Sequence, residues 1–187
     1  MTAIGVDAVQ IREKDLDARR LLELGLRIAD ALAPTVALLV NGRFDIALAI
    51  GAAGVHLPSR ALPIARIRER CPRLVIGAST HRTEEVAAAR DAGADYVTFG
   101  PVYPPRSKTA ALPAVGRSGL ARAVDLGLPV LALGGVSLER LEEIAGVGAA
   151  GVAAIGAFHS TEEQARAFVA AAHRLFPARA ASGESRP

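Results

Sequence analysis

Four times along the chain a glycine-led turn is followed at once by a short β-branched run. These are Gly5-Val-Asp-Ala-Val-Gln-Ile, Gly51-Ala-Ala-Gly-Val-His-Leu, Gly93-Ala-Asp-Tyr-Val-Thr-Phe and Gly148-Ala-Ala-Gly-Val-Ala-Ala-Ile. Glycine readily closes a helix as its C′ residue, and a Val-rich run of this length suits a strand buried on both faces. Thr35-Val-Ala-Leu-Leu-Val-Asn, Leu74-Val-Ile-Gly-Ala-Ser and Pro129-Val-Leu-Ala-Leu-Gly-Gly supply three more such runs. The segments between them read as helices over 18–33, 43–49, 64–70, 83–92, 119–125, 137–145 and 161–175. Thr83, Ser137 and Thr161 are expected to cap three of these, each followed by acids in the first turn. Strict strand–helix alternation implies a parallel sheet with right-handed crossovers.

Seven strands are countable, one fewer than a (β/α)8 TIM barrel takes. The fold expected is therefore an α/β barrel of this kind lacking its first strand and most of its first helix, one domain over 1–176 with a frayed tail at 177–187. Opening a barrel there leaves two strand edges unpaired, a hazard natural proteins avoid. The expectation that follows is either a natural start upstream of Met1 or a second chain over the gap, which makes a homo-oligomer possible. The alternative is a doubly wound open sheet, but no Gly-x-Gly-x-x-Gly follows a strand.

Composition narrows the function classes. Half the residues are hydrophobic (51%) and only 4% aromatic, so small aliphatics do the packing, as suits helices docked tightly on a parallel sheet. The formal charge is only +3, and the densest basic run, Arg66 to Arg73, contains Glu69 and no aromatic. That argues for a solvated helix face and against a nucleic-acid partner. No apolar stretch approaches a membrane span of ~20 residues and no signal peptide opens the chain, so no membrane partner and a cytoplasmic location are expected. The single Cys71 excludes an intramolecular disulfide and argues against structural zinc.

In a barrel the chemistry sits at the carboxyl ends of the strands. The first such end is the most charged: Val9-Gln-Ile-Arg-Glu-Lys-Asp runs from strand pattern into four charged residues. Period-2 geometry puts Gln10, Arg12 and Lys14 on one face, where they could converge on an anion. The competing reading is a strand leading to a solvated helix start capped by Asp15. Gly134-Gly135 before Ser137, and Ile155-Gly156 on the last strand, let backbone N–H groups approach a phosphate, although tight βα turns also demand glycine. Pro101 to Thr109 is a Pro-stiffened loop carrying Arg106, Ser107 and Lys108, a candidate lid. His56, between Val55 and Leu57, reads equally as a buried or a catalytic histidine. His81, after Ser79 and Thr80 at a strand end, is the better acid/base candidate. His159 and His173 read as surface or helix residues.

The motifs Gln10-Ile-Arg-Glu-Lys-Asp, Asn41-Gly-Arg-Phe-Asp-Ile-Ala-Leu, Gly54-Val-His-Leu, Ser79-Thr-His, Gly93-Ala-Asp-Tyr-Val-x-Phe-Gly-Pro-Val-Tyr-Pro and Leu133-Gly-Gly-Val together resemble the thiamine phosphate synthase and TenI-type superfamily of barrels. The resemblance runs from near Val6 to about Phe158. It implies that Gln10, Arg12, Lys14, Asn41, Ser79 and Lys108 bind a substrate's diphosphate and pyrimidine end. Gly134, Gly135, Ile155 and Gly156 would then hold a thiazole phosphate, making the partner a small phosphorylated molecule.

Synthases of this family carry a magnesium-binding Asp straight after the Asn and another in the loop after the His-Leu strand. Here those positions are Gly42 and Ala61. Losing both gives up several kcal/mol of charge stabilisation for a leaving diphosphate. The expectation is therefore a metal-free, TenI-like tautomerase of thiazole phosphate carboxylate, with no cofactor and no metal site. His81 and Lys108 are its candidate catalytic residues, since Pro101 stands where the TenI-type base would be. A synthase using Mg2+ to join hydroxymethylpyrimidine diphosphate to thiazole phosphate is the alternative, and a non-catalytic binder of thiazole or thiamine phosphate is the second.

Overall fold

The computed structural model describes residues 4–104 and 112–177. The expected lid residues Arg106, Ser107 and Lys108, and the expected tail beyond residue 177, lie outside them. Among the described residues seven strands alternate with seven α-helices: β1 (Ala8–Ile11), α1 (Ala18–Ala31), β2 (Ala37–Asn41), α2 (Phe44–Ala49), β3 (Gly54–Leu57), α3 (Ile64–Arg70), β4 (Val75–Thr80), α4 (Thr83–Asp91), β5 (Tyr96–Phe99), α5 (Gly116–Val124), β6 (Val130–Leu133), α6 (Leu141–Ala145), β7 (Gly151–Ala153) and α7 (Glu162–Leu175). All neighbouring strands are parallel and stand in chain order, β1 to β7. This is the seven-stranded form of the (β/α)8 barrel that the strand–helix alternation implies.

Alternation along each strand separates two environments. Ile11, Leu38 and Val40 point outward and pack with Leu21, Ile46 and Ile50 of the first two helical segments. Val55, Leu57 and Ile76 do the same with Ile67 of α3, and Val97, Phe99, Val130 and Ala132 with Val86, Leu120 and Ile144. The alternate strand residues face inward, and several of them are polar: Gln10, Asn41, His56, Ser79, Tyr96 and Thr98. Helix α7 crosses the gap between the sheet edges. Its Phe168 and Val169 share a cluster with Val6 before β1 and Val152 of β7, and His173 Nε2 meets Asp7 at 3.2 Å.

The helix ends correct several sequence expectations. Asp17, not Asp15, caps α1, accepting from Arg20 N at 2.9 Å. Thr83 is already the first residue of α4, whose cap position is Arg82 with no side-chain bond; Glu85 instead reaches back to the N–H of His81 at 2.7 Å. Ser137 makes no capping bond either, because the chain there enters a 3-10 turn, Leu138–Arg140, before α6. Thr161 does cap α7, in a reciprocal box with Gln164. Helix α5 begins three residues earlier than residue 119, at Gly116. Gly51 and Gly93 have φ of +66° and +89° directly after the caps of α2 and α4, the helix-closing role expected of them.

Candidate functional site

Four of the inward polar residues, His56, Ser79, Tyr96 and Thr98, form one connected group at the middle of the sheet. Parallel register sets Asn41 beside His56 and Ser79 beside Thr98. His56, only 5% exposed, is held at both ring nitrogens. Nδ1 lies 3.0 Å from the Tyr96 hydroxyl, and Nε2 lies 2.9 Å from Ser79 Oγ and 3.4 Å from Thr98 Oγ1. Burial, with the nearby Arg12 charge second, drives the His56 pKa from 6.5 to about 4, so the ring is neutral at pH 7. Burial also raises the Tyr96 hydroxyl, with Asp95 second, so it stays protonated. His56 is thus the satisfied buried histidine of the two sequence readings.

Gly77 makes this arrangement possible. A Cβ there would stand 2.1 Å from Tyr96 Cζ, so only glycine lets the phenol lie across the neighbouring strand to reach His56.

At the rim, Gln10 is exposed on β1, and Arg12 and Lys14 are exposed beyond its end at Ile11. The shared face expected of the three is therefore not imposed by strand geometry, since the strand stops before the two cations. Asn41 ends β2, half-buried, and Ser79 is near the end of β4. His81 follows β4, and its Nδ1 bonds the Gly100 carbonyl. A carbonyl only accepts, so Nδ1 carries the proton and Nε2 is the basic nitrogen. Lys108, the other candidate catalytic residue, lies outside the described residues.

The loops after β5 and β6 are zipped together. Val102 N donates to Leu133 O at 2.8 Å and Tyr103 N to Gly134 O at 3.1 Å. Gly134 and Gly135 have φ of +92° and +61°, and a Cβ on either would fall 2.6–2.7 Å from Pro101 or Tyr103. The close packing of this loop alone requires both glycines. Ile155, 62% exposed, and Gly156 follow β7 and open a 3-10 turn, Gly156–Phe158.

The donor set does not fit a magnesium ion held by two carboxylates. Gly42 and Ala61 stand at the positions the resemblance reserves for them, and among the described residues no group of three or more His, Cys, Asp or Glu could share an ion. Asp45, close to Gly42, is engaged by Arg43 at 2.8 and 2.6 Å, and that hydrogen bond holds its carboxyl below the ordinary value. Among the described residues no helix is long and apolar enough to cross a membrane.

Sequence reasoning missed Tyr96 and Thr98 as members of the inward group, although period-2 alternation through Tyr96-Val-Thr-Phe carried the signal. It also missed Arg140. That guanidinium donates to Gly135 O at 2.6 Å and stacks 4.1 Å over the Tyr103 ring, a tertiary pairing with no sequence signature.

Residues 1–158 match the family model described as thiamine monophosphate synthase. A provisionally named thiamine-phosphate synthase of Geobacter sulfurreducens is 46% identical over 174 residues, covering 89% of this chain and 81% of that protein. The thiamine-phosphate synthase of Gloeobacter violaceus is 40% identical over 88% of this chain, which spans about half (49%) of that relative's length. Among solved structures, a thiamine phosphate pyrophosphorylase from Pyrococcus furiosus superposes with a TM-score of 0.81 at 30% identity, covering 91% of this chain and 85% of that one.

Proposed function

Because the chain belongs to the thiamine monophosphate synthase family, we propose that it joins hydroxymethylpyrimidine diphosphate to a thiazole phosphate, releasing diphosphate. The observation that carries this reading is its 46% identity, over most of both chains, to a relative named for that reaction. The tautomerase expected first from the sequence becomes the second reading.

In this assignment Gln10, Arg12 and Lys14 take the departing diphosphate, offsetting charge that builds as the carbon–oxygen bond breaks. Both cations lie exposed beyond the end of β1, where a departing group would pass. Asn41 and Ser79 face the pyrimidine end from the inward side of the sheet. The N–H groups of the Gly134-Gly135 loop and of Ile155-Gly156 take the thiazole phosphate, in the loops after the last two strands where barrels of this kind bind phosphate.

Gly42 and Ala61 favour the tautomerase reading, since shifting a proton on thiazole phosphate carboxylate expels no anion and needs no metal carboxylates. His81 would be its base, through Nε2. Purified protein given both substrates, with and without magnesium, separates the two. The synthase forms thiamine phosphate; the tautomerase consumes the thiazole tautomer spectroscopically and forms none.

A further inference from the structure

We infer that Arg140 is a positioning residue that aims two backbone N–H groups of the Gly134–Val136 turn at the substrate phosphate. The inference rests on the phosphate role of that turn proposed above and adds the part that sets its geometry.

In a trans peptide the C=O and the following N–H point opposite ways, so fixing the carbonyl fixes the donor. Gly134 O accepts from Tyr103 N at 3.1 Å, which turns the N–H of Gly135 away from the β5 loop. Gly135 O accepts from Arg140 Nη1 at 2.6 Å, which turns the N–H of Val136 away from Arg140. Neither N–H has an acceptor among the described residues. They are successive donors flanking a glycine at φ +61°, the left-handed conformation found in anion-binding nests.

Arg140 itself is fixed from the other side. Its guanidinium carbon sits 4.1 Å from the Tyr103 ring centroid, so ring and carbonyl together hold the planar group from two sides. Tyr103 in turn belongs to the loop whose backbone zips onto Leu133 and Gly134. One side chain therefore couples the β5 loop, the β6 turn and the start of the next helix. A lysine would keep the charge but has no plane to lie on the ring.

The test is a titration of the isotope-labelled full chain with inorganic phosphate, following backbone amide resonances. In the wild type the Gly135 and Val136 amides should move together with one saturation curve. Arg140→Met and Arg140→Lys should both weaken that curve about tenfold, the effect of one lost charge-assisted hydrogen bond, with resonances outside the loops unchanged. Tyr103→Leu, which leaves Arg140 in place without its stacking surface, should weaken it in the same direction. Full phosphate affinity in Arg140→Lys or Tyr103→Leu would reduce Arg140 to a diffuse charge and overturn the proposal. No response of either amide in the wild type would remove the phosphate role of the turn, and the proposal with it. Steady-state kinetics should agree: KM for thiazole phosphate rises in Arg140→Lys while kcat holds.

Discussion

At the scale of single residues, His56 carries the largest consequence. Its pKa is about 4 in the folded chain against an ordinary 6.5, so between those values the unfolded state binds the extra proton. Stability is therefore fully present above pH 6.5 and is lost as the pH falls toward 4, by about 3 kcal/mol at ~1.4 kcal/mol per unit. Urea unfolding across that window should show the slope, and His56→Asn should flatten it; an unchanged slope would assign it to other groups. Gly77→Ala tests the same centre sterically. A Cβ 2.1 Å from Tyr96 Cζ must push the phenol off His56, at a cost of about 1–3 kcal/mol in the same assay. Period-2 alternation put His56 on a strand but gave no reason to choose between burial and catalysis. Three partners, from β4 and β5, decide it, and contacts between strands are invisible to local pattern.

At the scale of elements, strands and helices were legible because βα alternation with glycine punctuation is a local signal. The α3 helix was read to its ends, whereas the caps of α1, α4 and the 3-10 turn before α6 were not. Competing hydroxyls and acids lie within three residues of each start, and only backbone geometry selects among them. Arg68 illustrates what the sequence hides. From α3 it bonds the carbonyls of Pro72, Leu74 and Gly93 and meets Asp95 Oδ2 at 2.6 Å, while Asp95 also accepts from Ile76 N. This clasp lies at the amino ends of β4 and β5, the face where barrels keep stability rather than chemistry. Arg68→Ala should lower unfolding free energy by about 2–3 kcal/mol and leave kcat/KM within about twofold at a temperature where the variant is folded. A matching loss of activity would mean that the clasp reaches the site. Removing the Thr161 hydroxyl should cost α7 about 1 kcal/mol, read by the same unfolding curves.

At the scale of the whole molecule, parallel strands in chain order bring the turns after β6 and β7 and the cationic end of β1 to the same carboxyl end of the sheet. That common end was readable in advance because strand order alone places it. The reaction was harder, since residue identities pull two ways: family likeness points to the synthase, while Gly42 and Ala61 point to chemistry without a metal pair. The binding role proposed for Gln10, Arg12 and Lys14 is compatible with either reaction, on a leaving diphosphate or on a substrate carboxylate. The most direct measurement is chromatographic detection of thiamine phosphate after incubation with hydroxymethylpyrimidine diphosphate and thiazole phosphate, with and without magnesium. The account predicts product formation with multiple turnovers. Consumption of the thiazole tautomer with no thiamine phosphate under either condition would contradict it.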